Sequence, residues 1–281
     1  MSRGWIVSVW IGMGLVAFLV AAVAEGARAS GPVTINPAIV TAETRVALGV
    51  SASGFLYREV GAGVTVRESG ALPGFTASVS RLGSVFGVPG VYTGVVYDFS
   101  GGPLTYRGYI QNAEGGLSPY DTTDHAVFNH VEVRLGRALA LAPSVALIPF
   151  VAAGYQNWYR DIGGPGGYDE FYRAALAGGG AKLDIAVSDG LVLSASAEGL
   201  AVLGGQVSAP VLDFTGNFGA GGEETVRLGA DWRFGKLWHV FAGFGVRHFD
   251  YAGSGLNNGF YEPSSRTLEF RSEVGVAFGF H

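Results

Sequence analysis

The feature that most constrains the fold of this chain is a repeated alternation of apolar residues with glycine or charged residues. It is clearest in the last segment, where one face carries Leu268, Phe270, Ser272, Val274, Val276, Phe278 and Phe280. The other face carries Glu269, Arg271, Glu273, Gly275, Ala277 and Gly279. Successive side chains point to opposite faces of a β-strand, so a period of two predicts a strand and not a helix.

Ten segments show this alternation, and glycine, at 46 of 281 residues, interrupts the windows that could otherwise form helices. The segments lie near 44–58, 74–82, 90–99, 124–136, 146–160, 171–186, 190–203, 223–234, 238–251 and 265–280. Long and short connections alternate, and the long ones are 59–73, 100–123, 161–170, 204–222 and 252–264. This order is typical of a barrel with short turns at one end and long loops at the other.

The two strand faces are distributed in the reverse of a soluble β-sandwich, whose charged face meets water. Here the second face mixes glycine with charges of both signs, and only 15% of all residues are charged. Apolar residues facing lipid around a narrow polar interior explain this pattern, because backbone groups in a bilayer must be paired within a closed sheet. The predicted fold is all-β, a transmembrane antiparallel up-and-down β-barrel of about ten strands, with eight or twelve as alternatives.

The N-terminus has the composition of a secretory signal peptide. Arg3 supplies a positive charge, the stretch that follows is uncharged, and Ala27-Arg28-Ala29 fits a cleavage site. An uncleaved anchor helix is the alternative. The predicted division is a signal peptide at 1–29, a periplasmic segment at 30–43 and an outer-membrane barrel at 44–281. Export through a cleaved signal, together with the predicted barrel, implies a location in the outer membrane of a Gram-negative cell.

Aromatic residues cluster at both ends of the predicted strands. The end that holds the turns carries Trp232, Phe234, Trp238, Phe278 and Phe280. The loop end carries, among others, Tyr155, Trp158 and Tyr159. Amphipathic rings favour the boundary between lipid and water, so these positions predict two aromatic girdles.

The charged residues of the inward faces nearly balance in sign. The predicted lumen network consists of His130, Glu132, Arg134, Glu198, Arg227, Asp231, Arg233, Arg247, Glu269, Arg271 and Glu273, with Asp98, Lys182 and Asp184 also inward. A barrel of about ten strands has little more room than its side chains fill, and unpaired charge there is costly. We therefore predict a lumen plugged by paired side chains. The alternative is a selective channel, which favours a lining of one sign.

Several short motifs follow one another in a familiar order. They are Leu72-Pro73-Gly74, Ile148-Pro149-Phe150, the stretches 154–161 and 167–173, and Gly259-Phe260-Tyr261-Glu262-Pro263. In this order the chain resembles the proteobacterial outer-membrane β-barrel proteins described as outer membrane protein β-barrel domain or porin-like. The resemblance implies an outer-membrane barrel and transfers no catalytic residue.

Few residues are candidates for chemistry. One cluster that could bind a metal or exchange protons is Asp121, Asp124, His125 and His130, and a possible calcium site is Asp161, Asp169 and Glu170. Polar loops are the simpler interpretation of both. The Asp-x-His element of omptin-like proteases and the His-x-Ser pair of barrel lipid A deacylases do not occur, and cysteine is absent. The sequence thus predicts no enzymatic activity, no catalytic or metal site and no cofactor.

The sequence as a whole predicts a monomeric integral outer-membrane barrel with a structural or surface-interaction role. The alternatives are a narrow porin-like channel for small solutes and an outer-leaflet lipid- or peptide-modifying barrel enzyme. Expected partners are outer-membrane lipid and, during insertion, the barrel-assembly machinery. A net charge of −5 with no basic patch argues against nucleic acid as a partner.

Overall fold

A computed structural model describes residues 34–61, 63–111 and 116–280, so the predicted signal peptide lies outside the described residues. Thirteen antiparallel strands form one sheet. They are β1 (Arg45–Gly61), β2 (Val64–Val85), β3 (Val88–Gln111), β4 (Leu117–Arg137), β5 (Leu139–Ala142), β6 (Val145–Ile162), β7 (Asp169–Ser188), β8 (Leu191–Val202), β9 (Gln206–Ala209), β10 (Phe214–Asn217), β11 (Gly222–Arg233), β12 (Trp238–Tyr251) and β13 (Ser264–Gly279).

Ten of these strands close into a ring. Its order is β1-β2-β3-β4-β6-β7-β8-β11-β12-β13, and β13 pairs with β1 from Arg45↔Gly279 to Val60↔Ser264. The remaining strands β5, β9 and β10 lie outside the ring. The prediction of a ten-stranded antiparallel β-barrel is therefore confirmed.

The register fixes how steeply the strands tilt. From Val50 on β1, one row of paired residues passes through β2, β3, β4 and β6 to reach Arg173 on β7. The row that leaves Val50 in the other direction reaches Ile185 on the same strand. The two rows meet β7 twelve residues apart, a stagger that gives a strand tilt of roughly 40°.

The outward face carries a continuous apolar band. On β1 it includes the exposed side chains of Val46, Leu48, Val50 and Leu56. On β13 it includes Phe270, Val274, Val276 and Phe278. Each band extends over about ten residues of a tilted strand, which matches a band about 25 Å tall. Within the described residues, no helix is long and apolar enough to cross a membrane.

Several strands continue well beyond the apolar band at the loop end. The predicted loops 59–73 and 100–123 are largely β-strand, because β2 and β3 extend through them with paired backbones. Their outward residues there include Arg67, Ser69, Thr105 and Arg107, so the run of large apolar side chains that marks the membrane segments stops before the strands do. This correction explains why the barrel is taller than the sequence predicts.

Both ends of the barrel carry additional structure. The only described α-helix, α1 (Pro37–Ala42), precedes β1 and lies at the end of the barrel where β1 begins and β13 ends, called the terminal end below. At the opposite, loop end, residues 203–221 contain the β9–β10 hairpin and a short 3-10 helix, Pro210–Leu212. These residues and the connection 252–263 form a structure that we call the outer cap.

Candidate functional site

The helix α1 lies inside the terminal end of the lumen. The helix begins at Asn36, whose side chain accepts a hydrogen bond from the Ala38 N–H at 2.9 Å. Ile39 is fully buried and packs with residues from several walls of the barrel, among them Leu82, Tyr92, Ile148 and Val192. Glu43, directly after the helix, forms an ion pair with Lys182. The helix is therefore held both by apolar packing and by charge.

The middle of the lumen is a charged layer centred on Asp98 of β3. Its carboxylate oxygens lie 3.2 Å from Arg227, 3.2 Å from Arg247 and 3.3 Å from Arg271. The β11 strand that carries Arg227 stands opposite β3 in the ring, so this contact joins the two walls. Asp98 is 3% exposed, which means that three arginines share one desolvated carboxylate.

The other arginines and acids of this layer also form ion pairs with one another. Arg134 of β4 lies 2.7 Å from Glu198 of β8 and also pairs with Glu132. Arg247 contacts Glu223 at 3.3 Å and Glu269 at 3.4 Å. A cavity beside Asp98 has a volume of about 10 Å³, room for one water molecule. Side chains from opposite walls of the barrel are thus paired inside the lumen at this level.

All eleven residues of the predicted lumen network lie on inward faces, although they do not form one cluster. The middle layer contains His130, Glu132, Arg134, Glu198, Arg227, Arg247, Glu269, Arg271 and Glu273. Asp231 lies nearer the terminal end, where it pairs with Arg45 and lies 2.6 Å from His239. Arg233 donates to the backbone oxygen of Asp189 in a turn.

Above the charged layer, a stack of aromatic rings crosses the lumen. Ring centroids are 4.8 Å apart for Phe55–Phe128 and for Phe128–Trp158. They are 4.9 Å apart for Trp158–Tyr172, and Phe218 of the outer cap continues the stack. Offset and edge-on contacts at these distances are favourable beyond the area they bury. The outer cap is thus joined to the barrel wall through an apolar core.

A second charged cluster lies at the loop end and was not predicted from the sequence. Arg160 of β6 is 2% exposed and pairs with Glu68 and Glu170. Its guanidinium group also lies 5.0 Å from the ring centroids of both Tyr57 and Trp158. Five acidic residues interact electrostatically with Arg160, namely Glu59, Glu68, Asp124, Glu170 and Glu262. We call Arg160 and these five acids the rim cluster.

The rim cluster holds more acids than one arginine can neutralise. The Tyr172 hydroxyl accepts from Arg160 at 2.8 Å and lies 2.7 Å from Glu262 Oε1 and 3.0 Å from Glu170 Oε2. The Tyr172 hydroxyl has a single hydrogen and can donate it to only one of these two carboxyl groups. The other carboxyl group must itself be protonated to form a hydrogen bond with the hydroxyl oxygen. Burial, reinforced by the Glu59 and Glu170 charges, raises the pKa of Glu262 well above its usual range.

Asp124 is an acid of this cluster that is completely buried. It is 0% exposed, and neither of its carboxylate oxygens has a hydrogen-bond partner among the described residues. Burial first, and the charge of Glu68 second, raise its pKa to about 8. Burial likewise raises the pKa of Glu59 to about 7. Burial in the rim cluster therefore favours the protonated forms of these carboxyl groups.

This protonation makes the cap's stability depend on pH. A carboxyl group that titrates near 8 when folded and near 4 when unfolded stabilises the fold fully below pH 4. That contribution declines between pH 4 and 8. We expect amide-exchange protection factors in 206–217 and 252–263 to be lower at pH 9 than at pH 5. Asp124→Asn, which removes the titration, should raise protection at pH 9 several-fold.

Asp121→Asn is the matched control for this measurement, since Asp121 is exposed on the outward face of the same strand. It should leave protection at both pH values unchanged. Equal protection of the wild-type cap at pH 5 and pH 9 would contradict the proton-dependent stability of the rim cluster.

The sequence held a weak signal for the rim cluster. Trp158 and Arg160 share the phase of Phe150, so alternation places all three inside the barrel. The predicted strand ends at residue 160, and the predicted lumen network does not include Arg160. The acids Glu68, Glu170 and Glu262 lay in predicted loops, where charge is ordinary and gives no reason to expect burial.

The predicted aromatic girdles are placed mostly on the outward face. Trp232, Phe234, Trp238 and Phe278 are exposed at the terminal end, with Phe280 partly exposed beside them. Tyr155 is 43% exposed. The ring centroids of Tyr159 and Phe171 are 5.0 Å apart. The assignment of Trp158 to a girdle is wrong. Its position is out of phase with Tyr155 and Tyr159, so it points into the aromatic stack and is 1% exposed.

The candidate metal and acid–base residues are separated by the same alternation. Asp124 and His130 point inward, whereas Asp121 and His125 lie on the exposed face of β4. Asp161 and Asp169 are register partners, but Glu170 points inward to Arg160. In the described part of the chain, no group of three or more such side chains is placed to hold a metal ion.

The closed ring and its lipid-facing apolar band define an outer-membrane β-barrel protein. No protein-family model and no curated protein matches the sequence. Among solved structures, the chain is similar to the outer membrane protease OmpT of Escherichia coli, with 11% identity and a TM-score of 0.49 over 84% of this chain and 96% of that one.

It is also similar to the translocator domain of the autotransporter NalP from Neisseria meningitidis, with 12% identity, a TM-score of 0.42 and coverage of 97% and 98%. The toluene transporter TodX of Pseudomonas putida matches with 10% identity, a TM-score of 0.35 and coverage of 87% and 92%. The predicted resemblance to outer-membrane β-barrels and the outer-membrane location are confirmed. Cleavage of the signal peptide stays a prediction.

One sequence-based prediction is corrected by these findings. Enzymatic activity was excluded because two known catalytic patterns are missing, but an outer membrane protease is among the solved barrels that this chain resembles in fold. That exclusion is therefore wrong, since missing motifs of two families do not exclude catalysis in a barrel of this class. The likeness is one of fold and assigns no activity to this chain.

Proposed function

We propose that the protein is a closed outer-membrane barrel that displays a folded cap at the cell surface and offers no continuous passage to solutes. The observation that supports this proposal is that packed side chains lie inside the barrel at three levels. These are α1, the charged layer around Asp98, and the aromatic stack that includes Phe218 of the cap. A conducting pore needs an open path through all three.

The charge of the lumen supports the same proposal. Channels that select ions by charge favour a lining of one sign. Here Arg227, Arg247 and Arg271 converge on Asp98, and Arg134 is neutralised by Glu132 and Glu198. Charges that are paired across the lumen are unavailable to a permeating ion, so a structural role for them is favoured over selectivity.

Planar-bilayer recording tests this proposal. Purified full-length protein should insert into the bilayer without steady unitary conductance in about 1 M salt. Surface charges are strongly screened at this ionic strength. Insertion is checked separately by heat-modifiable gel mobility of the reconstituted sample. Reproducible unitary steps from inserted wild-type protein would overturn the closed barrel and favour the narrow channel.

A further inference from the structure

Four arginines stand side by side on the outward face at the loop end. The register pairs Arg58 of β1 with Arg266 of β13 on one side and with Arg67 of β2 on the other. Arg67 is in turn paired with Arg107 of β3. All four side chains are exposed. We call this set the arginine row.

Without a bound counter-charge, the arginine row destabilises the folded barrel. Like charges directly opposite each other on neighbouring strands repel, and the row contains three such pairs in succession. Among the described residues, no carboxylate lies within 4 Å of any of the four guanidinium groups. Asp250 and Asp121 are the register partners at the two ends of the row, which leaves its centre without an acid.

The row begins where the apolar band ends. Leu56 and Leu268 are paired and belong to the band, and Arg58 and Arg266 are the next outward residues on the same strands. Because the strands tilt, the row rises along the barrel axis by about 3 Å per strand towards Arg107. The arginines therefore start at the headgroup level of the outer leaflet and continue into the polar layer above it.

We infer that the arginine row is a binding surface for phosphorylated lipid headgroups of the outer leaflet. A guanidinium group presents several N–H donors that match phosphate oxygens, and it keeps its charge at the membrane surface. Basic side chains clustered next to a membrane span bind anionic lipids. Bound phosphates neutralise the repulsion that the register creates. This inference rests on the outer-membrane location and not on the closed lumen.

The opposite side of the barrel's loop end carries outward-facing acidic residues, so the charge of the outer surface there is distributed asymmetrically. Asp161 and Asp169 face outward as a pair on β6 and β7, and Glu224 faces outward on β11 beside His248. Phosphorylated lipid should therefore gather on the side of the barrel formed by β13, β1, β2 and β3. The lipid contact is expected to be one-sided and not a uniform ring.

The test is titration of the detergent-solubilised full-length protein with diphosphoryl lipid A, with bound lipid counted by native mass spectrometry. Changing Arg58, Arg67, Arg107 and Arg266 together to glutamine should weaken binding roughly tenfold or more, since each charge near an anionic surface contributes to affinity. The same lipid with its phosphates removed should bind the wild type equally weakly. Inorganic pyrophosphate as a competitor separates a headgroup site from one that needs the whole lipid.

The matched control changes Arg81 and Arg137 to glutamine, because both are exposed near the terminal ends of their strands. This variant should bind lipid A like the wild type. Heat-modifiable mobility confirms that each variant is folded, and Arg58→Gln with Arg67→Gln replaces the fourfold variant if that one does not fold. Unchanged binding by the row variant, equal loss in the control, or tight binding of the dephosphorylated lipid would each overturn the inference.

Discussion

Replacing Asp98 with alanine is expected to lower the free energy of unfolding of the barrel by about 3–5 kcal/mol. Asp98 is the shared acceptor of Arg227, Arg247 and Arg271, all within 3.3 Å of its carboxylate oxygens. Without it, three guanidinium groups face one another in a desolvated lumen. The loss should appear as a lower midpoint of urea unfolding in detergent, followed by gel mobility.

Two further variants separate the effect of the Asp98 charge from that of hydrogen bonding and provide a control. Asp98→Asn keeps hydrogen-bond acceptance and removes the charge, so its midpoint should lie between those of the wild type and the alanine variant. Asp189→Ala changes an exposed acid in a turn and should shift stability by less than about 0.5 kcal/mol. An alanine variant at position 98 that is as stable as the wild type would mean that the arginines are neutralised by other acids.

Replacing Arg160 with methionine is expected to release the outer cap while leaving the barrel ring folded. The change removes the only cation of the rim cluster from among five acids, a loss of about 3–5 kcal/mol for a buried charge network. The rim cluster lies beyond the apolar band, so gel mobility should stay heat-modifiable. Amide exchange in 206–217 and 252–263 should increase by two or more orders of magnitude at pH 8.

The effect of Arg160→Met should itself depend on pH. The acids left behind become neutral as they bind protons, so protection of the cap should partly return at pH 5. Arg81→Met is the control, because Arg81 is exposed on β2 near the terminal end of the barrel, away from the outer cap. A cap that stays protected at pH 8 in the Arg160 variant would contradict the role of this arginine.

The barrel itself could be predicted because alternation is a local property. The apolar face of β13 is readable from its own residues, and the inward position of Arg271 follows from the phase of its neighbours. Lipid selects the outward side chains strand by strand, so no knowledge of partner strands is needed. The number of strands and the inward charges were accessible for the same reason.

The outer cap and the rim cluster could not be predicted in this way. Phe218 is buried because it lies across the mouth of the barrel against Tyr172 and Tyr251, a contact that no local pattern encodes. Beyond the lipid band both faces of a strand can be polar, so Glu68 on its extended strand reads as a loop residue. The burial of α1 likewise depends on strands that follow much later in the chain.

The pairing of β1 with β13 also determines the order of events in folding. These two strands are more than 200 residues apart in sequence, and until they meet each has an open edge that can pair with another chain. Sealing the ring must wait for the last strand, which makes it a slow, entropically costly step. Since α1 directly precedes β1, it reaches its place in the lumen when the same seam closes. Closure of the ring and placement of α1 inside it are therefore expected to occur in the same step of folding.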